Sequence, residues 1–331
     1  EPVDPDPDVV QRPDRPKGPT PEEEAEEAYR EVLDWVERNS LAADAVKTAK
    51  FKSVADRHPD TRWALHAKER IREIAERREE KVAAHRKKAE RLYDQTLARA
   101  KAMAEENKYG EAIAELATAW SSQGVLVFRR QALSEAELVA FSKRFGELDI
   151  IVRTDWQASL PEVVQISNMK DYHGNSIGGL GAGELDWHTD QSYVTDPATG
   201  SILYMVEMPR DGANTHWANL QLAYDALSSD MQQRIEGLSA VYDYIARQST
   251  YDDEKPMSEE LRRKTPPVTH PLVNRHPVTG RRSLYLDPTT SVGVDGMPAD
   301  EGRALLDELN AHATQPQFVY THRWQMGDLI M

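Results

Sequence analysis

Leu185-Asp186-Trp187-His188-Thr189-Asp190-Gln191-Ser192-Tyr193 sets an imidazole and a carboxylate two residues apart in a stretch that reads as extended. On a strand, side chains at i and i+2 share a face, so His188 and Asp190 are predicted to meet a single metal ion. Together they supply two of the three protein donors of a facial triad, which leaves open positions on iron(II) for a co-substrate and dioxygen. The third donor of such a set is expected from a histidine on a later strand, and no convincing candidate stands before Met331.

A chain of 331 residues exceeds one typical domain and predicts two. Its formal net charge of −15 argues against nucleic acid as a partner, because phosphate binding needs a basic surface. With no cysteine, disulfides and thiolate metal sites are excluded, and His, Asp and Glu remain as the strong ligands. No apolar run approaches the roughly 20 residues of a membrane span, and no cleavable leader is visible. The expected location is therefore the cytoplasm, although the first residue is Glu1 rather than Met, which leaves a leader ahead of it open.

Residues 1–21 alternate Pro with Asp, Glu and Arg and are expected to form a disordered linker, since they cannot bury apolar area. Residues 22–118 carry almost no Gly or Pro and space their apolar residues as a helix does, for example Ala28, Val32, Leu33 and Val36. Two segments there look like tetratricopeptide-type units, Phe51 through Ile71 and Ala89 through Ile113, which would give this module a protein partner. A plain helical hairpin or coiled-coil spacer fits the same pattern. The basic run from Lys81 to Arg91 is interleaved with Glu and Ala and reads as a solvated helix face.

From residue 119 the composition changes. Gly124-Val125-Leu126-Val127-Phe128 reads as a buried strand, and Ser134 with Glu137 reads as a capping box that opens a helix running to Phe145. Further short strands are predicted at 163–166, 201–207, 237–244, 283–286 and 317–323, with helices at 219–227, 229–238 and 298–313. Many short strands with a few outer helices and no strict alternation predict an α+β chain: an all-helical module followed by a jelly-roll barrel with flanking helices.

Several ordered blocks then resemble the taurine dioxygenase (TauD/TfdA) family of Fe(II)/2-oxoglutarate-dependent dioxygenases. They are Gly124 to Phe128, Phe145 to Leu148, Trp187 to Asp190, Gly212 to Trp217 with Ala223 to Leu227, His270 to Val273, His276 to Arg281, and Gly327 to Met331. The resemblance covers residues 119–331 and implies a double-stranded β-helix (jelly-roll) fold with the metal at one end of the barrel. It makes His188 and Asp190 the metal ligands and catalytic centre, with Fe(II) as cofactor and 2-oxoglutarate and dioxygen as co-substrates. Thr215 matches a threonine that hydrogen-bonds a carboxylate of 2-oxoglutarate. Asn168, at the end of the predicted strand 163–166, is the candidate on the substrate side, with His173 and Arg153 as weaker ones.

The implied reaction oxidises a small anionic organic molecule and releases succinate and carbon dioxide. Taurine itself is doubtful, because Asp149 to Thr154 lacks the histidine and tyrosine that the taurine enzyme carries after its Gly-Glu-Leu block. The family's second ligand histidine and its 2-oxoglutarate arginine lie beyond a Gly-Asp-Leu block, so both are expected past Met331, and the domain reads as cut short there. His322 is the in-chain residue weighed as a substitute third ligand. The alternative to an enzyme is a non-catalytic scaffold, with helical repeats that bind partners beside an incomplete barrel.

Overall fold

The computed structural model describes residues 18–38, 44–151, 156–175, 177–179, 185–209, 214–248 and 259–331. Most of the expected linker and the candidate Arg153 lie outside the described residues. The chain divides into two compact units, residues 1–82 and 83–331.

The first unit is helical. Helix α1 (Pro21–Arg38) starts on a reciprocal cap: the Glu23 amide donates to Thr20 Oγ1 at 3.3 Å, and the Thr20 amide donates to Glu23 Oε2 at 2.7 Å. Acidic Glu22, Glu23 and Glu24 in its first turn and Arg38 in its last complement the helix dipole. Helix α2 (Asp44–Arg57) follows, and Thr61 caps the start of α3 (Arg62–Glu105) by accepting from the Ala64 amide. Tyr29, Phe51, Val54, Ala64 and Ala67 form the core of this unit, where the alanines let the helices come close. The first segment read as tetratricopeptide-like thus spans a real helix–turn–helix. The second, from Ala89 through Ile113, also spans a helix–turn–helix, with α3 ending at Glu105 and the next helix opening at Tyr109, but its first helix is the end of a single helix of 44 residues. No Gly or Pro stands between Arg62 and Glu105, so α3 runs unbroken from the end of the first segment into the second instead of forming separate short helices.

In the second unit, α4 (Tyr109–Gln123) ends at Gly124, whose φ of 81° is a left-handed cap that glycine adopts without strain. Ala100, Ala112, Leu116 and Ala119 then pack with Leu126 and Met331 in one buried cluster, flanked by Phe128, Phe141 and Phe145. Strand β1 (Val127–Phe128) leads to α5 (Glu135–Ser142), where the expected capping box of Ser134 and Glu137 is present. The remaining elements are β2 (Leu203–Tyr204), β3 (Thr215–Ala218), α6 (Leu220–Asp225), α7 (Ser229–Ile235), β4 (Ser239–Tyr242), α8 (Tyr244–Gln248), α9 (Glu259–Lys264), β5 (Val268–Pro271), β6 (Val273–Arg275), β7 (Arg282–Leu284), β8 (Ser291–Val294), α10 (Ala299–Ala313), β9 (Val319–His322) and β10 (Leu329–Ile330).

All described strand pairs are antiparallel, in the orders β1-β10-β2, β3-β9, β5-β4-β8 and β6-β7. Strands β1 and β10 lie side by side: Val127 pairs with Ile330, and the Leu126 and Met331 amides and carbonyls exchange bonds at 2.9 and 3.0 Å. A second core gathers Ile235, Tyr242, Leu272 and Leu284 under Leu305, Leu306 and Leu309 of α10. Each such leucine, fully buried, contributes about 1.5–3 kcal/mol.

Two expected strands are absent. Among the described residues, 163–166 form only an isolated bridge between Gln157 and Val164, extended by backbone bonds from Ala158 to Val163 and from Gln165 to Trp156. The His188 to Asp190 stretch is not a strand either. It is an irregular segment entering a turn that begins at Asp190.

Candidate active site

Although the segment is not a strand, it brings the two side chains together. His188 Nε2 lies 3.4 Å from Asp190 Oδ1. His188 Nδ1 lies 2.8 Å from the Asp186 carbonyl, an acceptor only, so Nδ1 carries the hydrogen and donates. Nε2 is thereby aimed at the carboxylate, and in the neutral ring it carries the lone pair, the tautomer a metal ligand requires. The second Asp190 oxygen accepts from Ser201 Oγ at 2.7 Å, which turns Oδ1 toward the imidazole. A cation bridges the two, either a proton on Nε2, which then donates to Oδ1, or a metal ion in its place. The neighbouring Asp190 carboxylate accordingly holds the His188 imidazole above its ordinary pKa, against the opposing effect of burial. The same donor pair suits a divalent ion, with one neutral nitrogen and one anionic oxygen.

Thr215 opens β3 and lies opposite His322 in the β3–β9 pairing. Its Oγ1 accepts from the Trp324 indole at 2.8 Å, which leaves the hydroxyl hydrogen to donate elsewhere. The next residue, His216, points to the other face of the strand, where its ring is 6.2 Å from that of Trp187. That contact sets β3 beside the segment that carries His188. Asn168 sits in an exposed irregular stretch, and none of its described contacts joins it to His188 or Asp190. His173 is likewise exposed, its ring against Tyr172.

His322 does not serve as a third ligand. It is fully buried, and both of its ring nitrogens are engaged: Nε2 at 2.9 Å from Asp328 Oδ2 and Nδ1 at 2.9 Å from the Tyr320 hydroxyl. Burial, together with the positive charge of Arg129, keeps the ring below its ordinary pKa despite Asp328, so it stands neutral with no free lone pair. Among the described residues, no third His, Asp or Glu gathers with His188 and Asp190.

The sequence model of the family described as taurine catabolism dioxygenase TauD, TfdA family matches residues 100–331. The chain belongs to the TauD/TfdA family. Its class is that of an Fe(II)/2-oxoglutarate-dependent dioxygenase, as the motifs imply. It is 36% identical over 229 residues to the α-ketoglutarate-dependent 2,4-dichlorophenoxyacetate dioxygenase of Cupriavidus pinatubonensis, covering 66% of this chain and 79% of that one. It is 31% identical to pentalenolactone F synthase of Streptomyces arenae, over 66% of this chain and 76% of the relative. Among solved structures, it is similar to AAD-2 in complex with Mn(II) and N-oxalylglycine, with a TM-score of 0.55 and 32% identity over 66% of this chain and 76% of that one. A taurine dioxygenase from Burkholderia xenovorans matches with a TM-score of 0.53 and 31% identity, over 66% and 70% of the two chains. The TauD/TfdA match begins within α3, beyond the residues of the first unit.

Sequence reasoning missed the residues that hold this TauD/TfdA segment in place. Thr189 Oγ1 donates to the Leu286 carbonyl at 2.7 Å, and Ser192 Oγ donates to Asp287 Oδ2 at 2.5 Å. Ser201, which orients Asp190, was missed as well. Only the Asp287-Pro288-Thr289-Thr290 run hints at a turn, and nothing local in it points to residues so far away in sequence.

Proposed function

We propose that the chain oxidises a small anionic organic substrate at the His188/Asp190 pair with Fe(II), 2-oxoglutarate and dioxygen, releasing succinate and carbon dioxide. The observation that carries this reading is His188 Nε2 facing Asp190 Oδ1 across 3.4 Å, with the ring oriented from behind by the Asp186 carbonyl on Nδ1. His188 and Asp190 would hold the iron. When bound, iron(II) supplies open positions at which 2-oxoglutarate and dioxygen come together. The Asp190 carboxylate offsets the charge of the ion, and Ser201 keeps its second oxygen from turning away. Thr215 would donate its hydroxyl hydrogen to a carboxylate of 2-oxoglutarate, with its oxygen oriented by the Trp324 indole. Asn168 is proposed on the substrate side.

The short antiparallel strands and the similarity to TauD/TfdA structures support a jelly-roll barrel for residues 119–331, within a unit that begins at residue 83 and takes in α4, so the expected separate module over 22–118 is cut back to the helices before that unit. An anionic substrate is supported by relatives named for 2,4-dichlorophenoxyacetate and (S)-phenoxypropionate, both carboxylates. No described helix is long and apolar enough to cross a membrane. A cytoplasmic setting fits a co-substrate drawn from metabolism.

Anaerobic titration with Fe(II) and 2-oxoglutarate tests the reading through the weak visible charge-transfer band of the chelated complex. The band is expected in the unsubstituted protein and lost in His188→Ala. Its absence from the unsubstituted protein would overturn iron binding by these residues.

A further inference from the structure

Ser192, Asp287, Thr289, Thr290 and Ser291 are each 3% exposed or less, a cluster of buried polar side chains immediately behind the His188/Asp190 segment. Asp287 Oδ2 accepts from Ser192 Oγ at 2.5 Å, and Asp287 Oδ1 accepts from the Thr289 amide and hydroxyl at 2.9 and 2.7 Å. With the Ser192 hydrogen given to Asp287, the Thr290 hydroxyl donates to Ser192 Oγ at 2.7 Å. Isolated buried polar groups are costly, and a carboxylate with several donors on it is fixed in direction as well as place. Between Asp190 and Ser192 stands Gln191 at a φ of 57°, a left-handed conformation that a residue with a Cβ adopts only when its surroundings hold it. The strained residue reverses the chain, so that Ser192 turns into the core while Asp190 stays at the surface. Ala198 closes the reversal by donating its amide to Gln191 Oε1 at 2.7 Å.

We propose that the Asp287–Ser192–Thr290 cluster is a clamp that holds this reversed turn and thereby positions His188 and Asp190 to share one divalent metal ion. The inference rests on the metal-pair reading and adds the residues that make the pair precise. Asp287 and Ser192 are positioning residues: they reach the ion only through the turn.

The test compares the full chain with Ser192→Ala and Thr290→Val, the second of which keeps the side-chain volume and removes only the hydroxyl. Two quantities are read: Mn(II) affinity by loss of the free-ion paramagnetic resonance signal, and amide exchange of residues 189–194 in the metal-free protein. Both variants should weaken Mn(II) binding by about tenfold or more and speed exchange in that segment, while Thr290→Ser, which restores the hydroxyl, stays near the parent in both. Leu306→Ala serves as the control, lowering the melting temperature while leaving Mn(II) affinity unchanged. If Ser192→Ala and Thr290→Val bind Mn(II) as the parent does, the clamp is overturned. If the parent takes up no Mn(II), the metal reading fails separately, and exchange decides: unchanged rates in Ser192→Ala overturn the clamp, and faster rates confined to 189–194 uphold it as the holder of the turn.

Discussion

Asp328 has no exposed surface and collects three donors, two from the stretch just before it and one from beside β1. Its Oδ2 accepts from the Gln325 amide at 2.8 Å and from His322 Nε2 at 2.9 Å, and it forms an ion pair with Arg129 beside β1. Gly327, just before it, has a φ of 76°, and a Cβ there would lie 2.5 Å from the Gln131 carbonyl oxygen, so only glycine permits the turn that delivers Asp328. Asp328→Ala should therefore destabilise the second unit by about 3 kcal/mol, since it strands a buried histidine, an amide and a half-exposed guanidinium. Urea unfolding followed by tryptophan fluorescence measures this. His322 makes a pH prediction with a definite sign. Its folded-state pKa is depressed, chiefly by burial, below the roughly 6.5 of an unfolded histidine. Its contribution is fully present above that value and is lost as pH falls through the folded pKa, because the unfolded chain takes up the proton first. The urea midpoint should accordingly fall as pH drops below about 6.5, and His322→Gln should flatten that part of the profile. An unchanged profile in the variant would show that other groups control it.

At the scale of the element, caps and helical spacing are legible in the residues themselves. The Ser134/Glu137 box opens α5 as expected, with the Glu137 amide on Ser134 Oγ and the Ser134 amide on Glu137 Oε2 at 2.8 Å. Ser134→Ala should cost about 1 kcal/mol, measurable as a lower urea midpoint at unchanged slope. Helix α10, expected over 298–313, forms at Ala299–Ala313, because Leu305, Leu306 and Leu309 give it a clear apolar face. Strands of two to four residues carry too little pattern for the same treatment. The Thr-His-Trp-Ala of β3 has no apolar alternation, and it becomes a strand only because β9 lies beside it. For the same reason the candidate site was half legible. Residue types and spacing marked His188 and Asp190, but the reading as a strand failed, since the turn is fixed by Asp287 and Thr290 from a distant segment. No window of local sequence contains both sides of that contact.

At the scale of the whole chain, the point of interest is where the catalytic unit begins. The expected boundary between residues 118 and 119 falls inside α4, whose Ala112 and Leu116 pack with Leu126 and Met331 in a single buried cluster. The compact unit instead starts near residue 83, and the family match at residue 100. A fragment of residues 83–331 is therefore expected to unfold in one cooperative step at the midpoint that this unit has in the full chain. A fragment of residues 119–331 loses Ala100, Ala112 and Leu116 and leaves Leu126, Phe128 and Met331 partly uncovered. At about 1.5–3 kcal/mol for each large apolar side chain returned to water, that loss is a sizeable share of the 5–15 kcal/mol that holds a domain together. The shorter fragment should bind a hydrophobic dye and melt without cooperativity, whereas the longer one should do neither. Equal stability of the two fragments would mean that α4 is an appendage of the helical part rather than the wall that closes the second unit over β1.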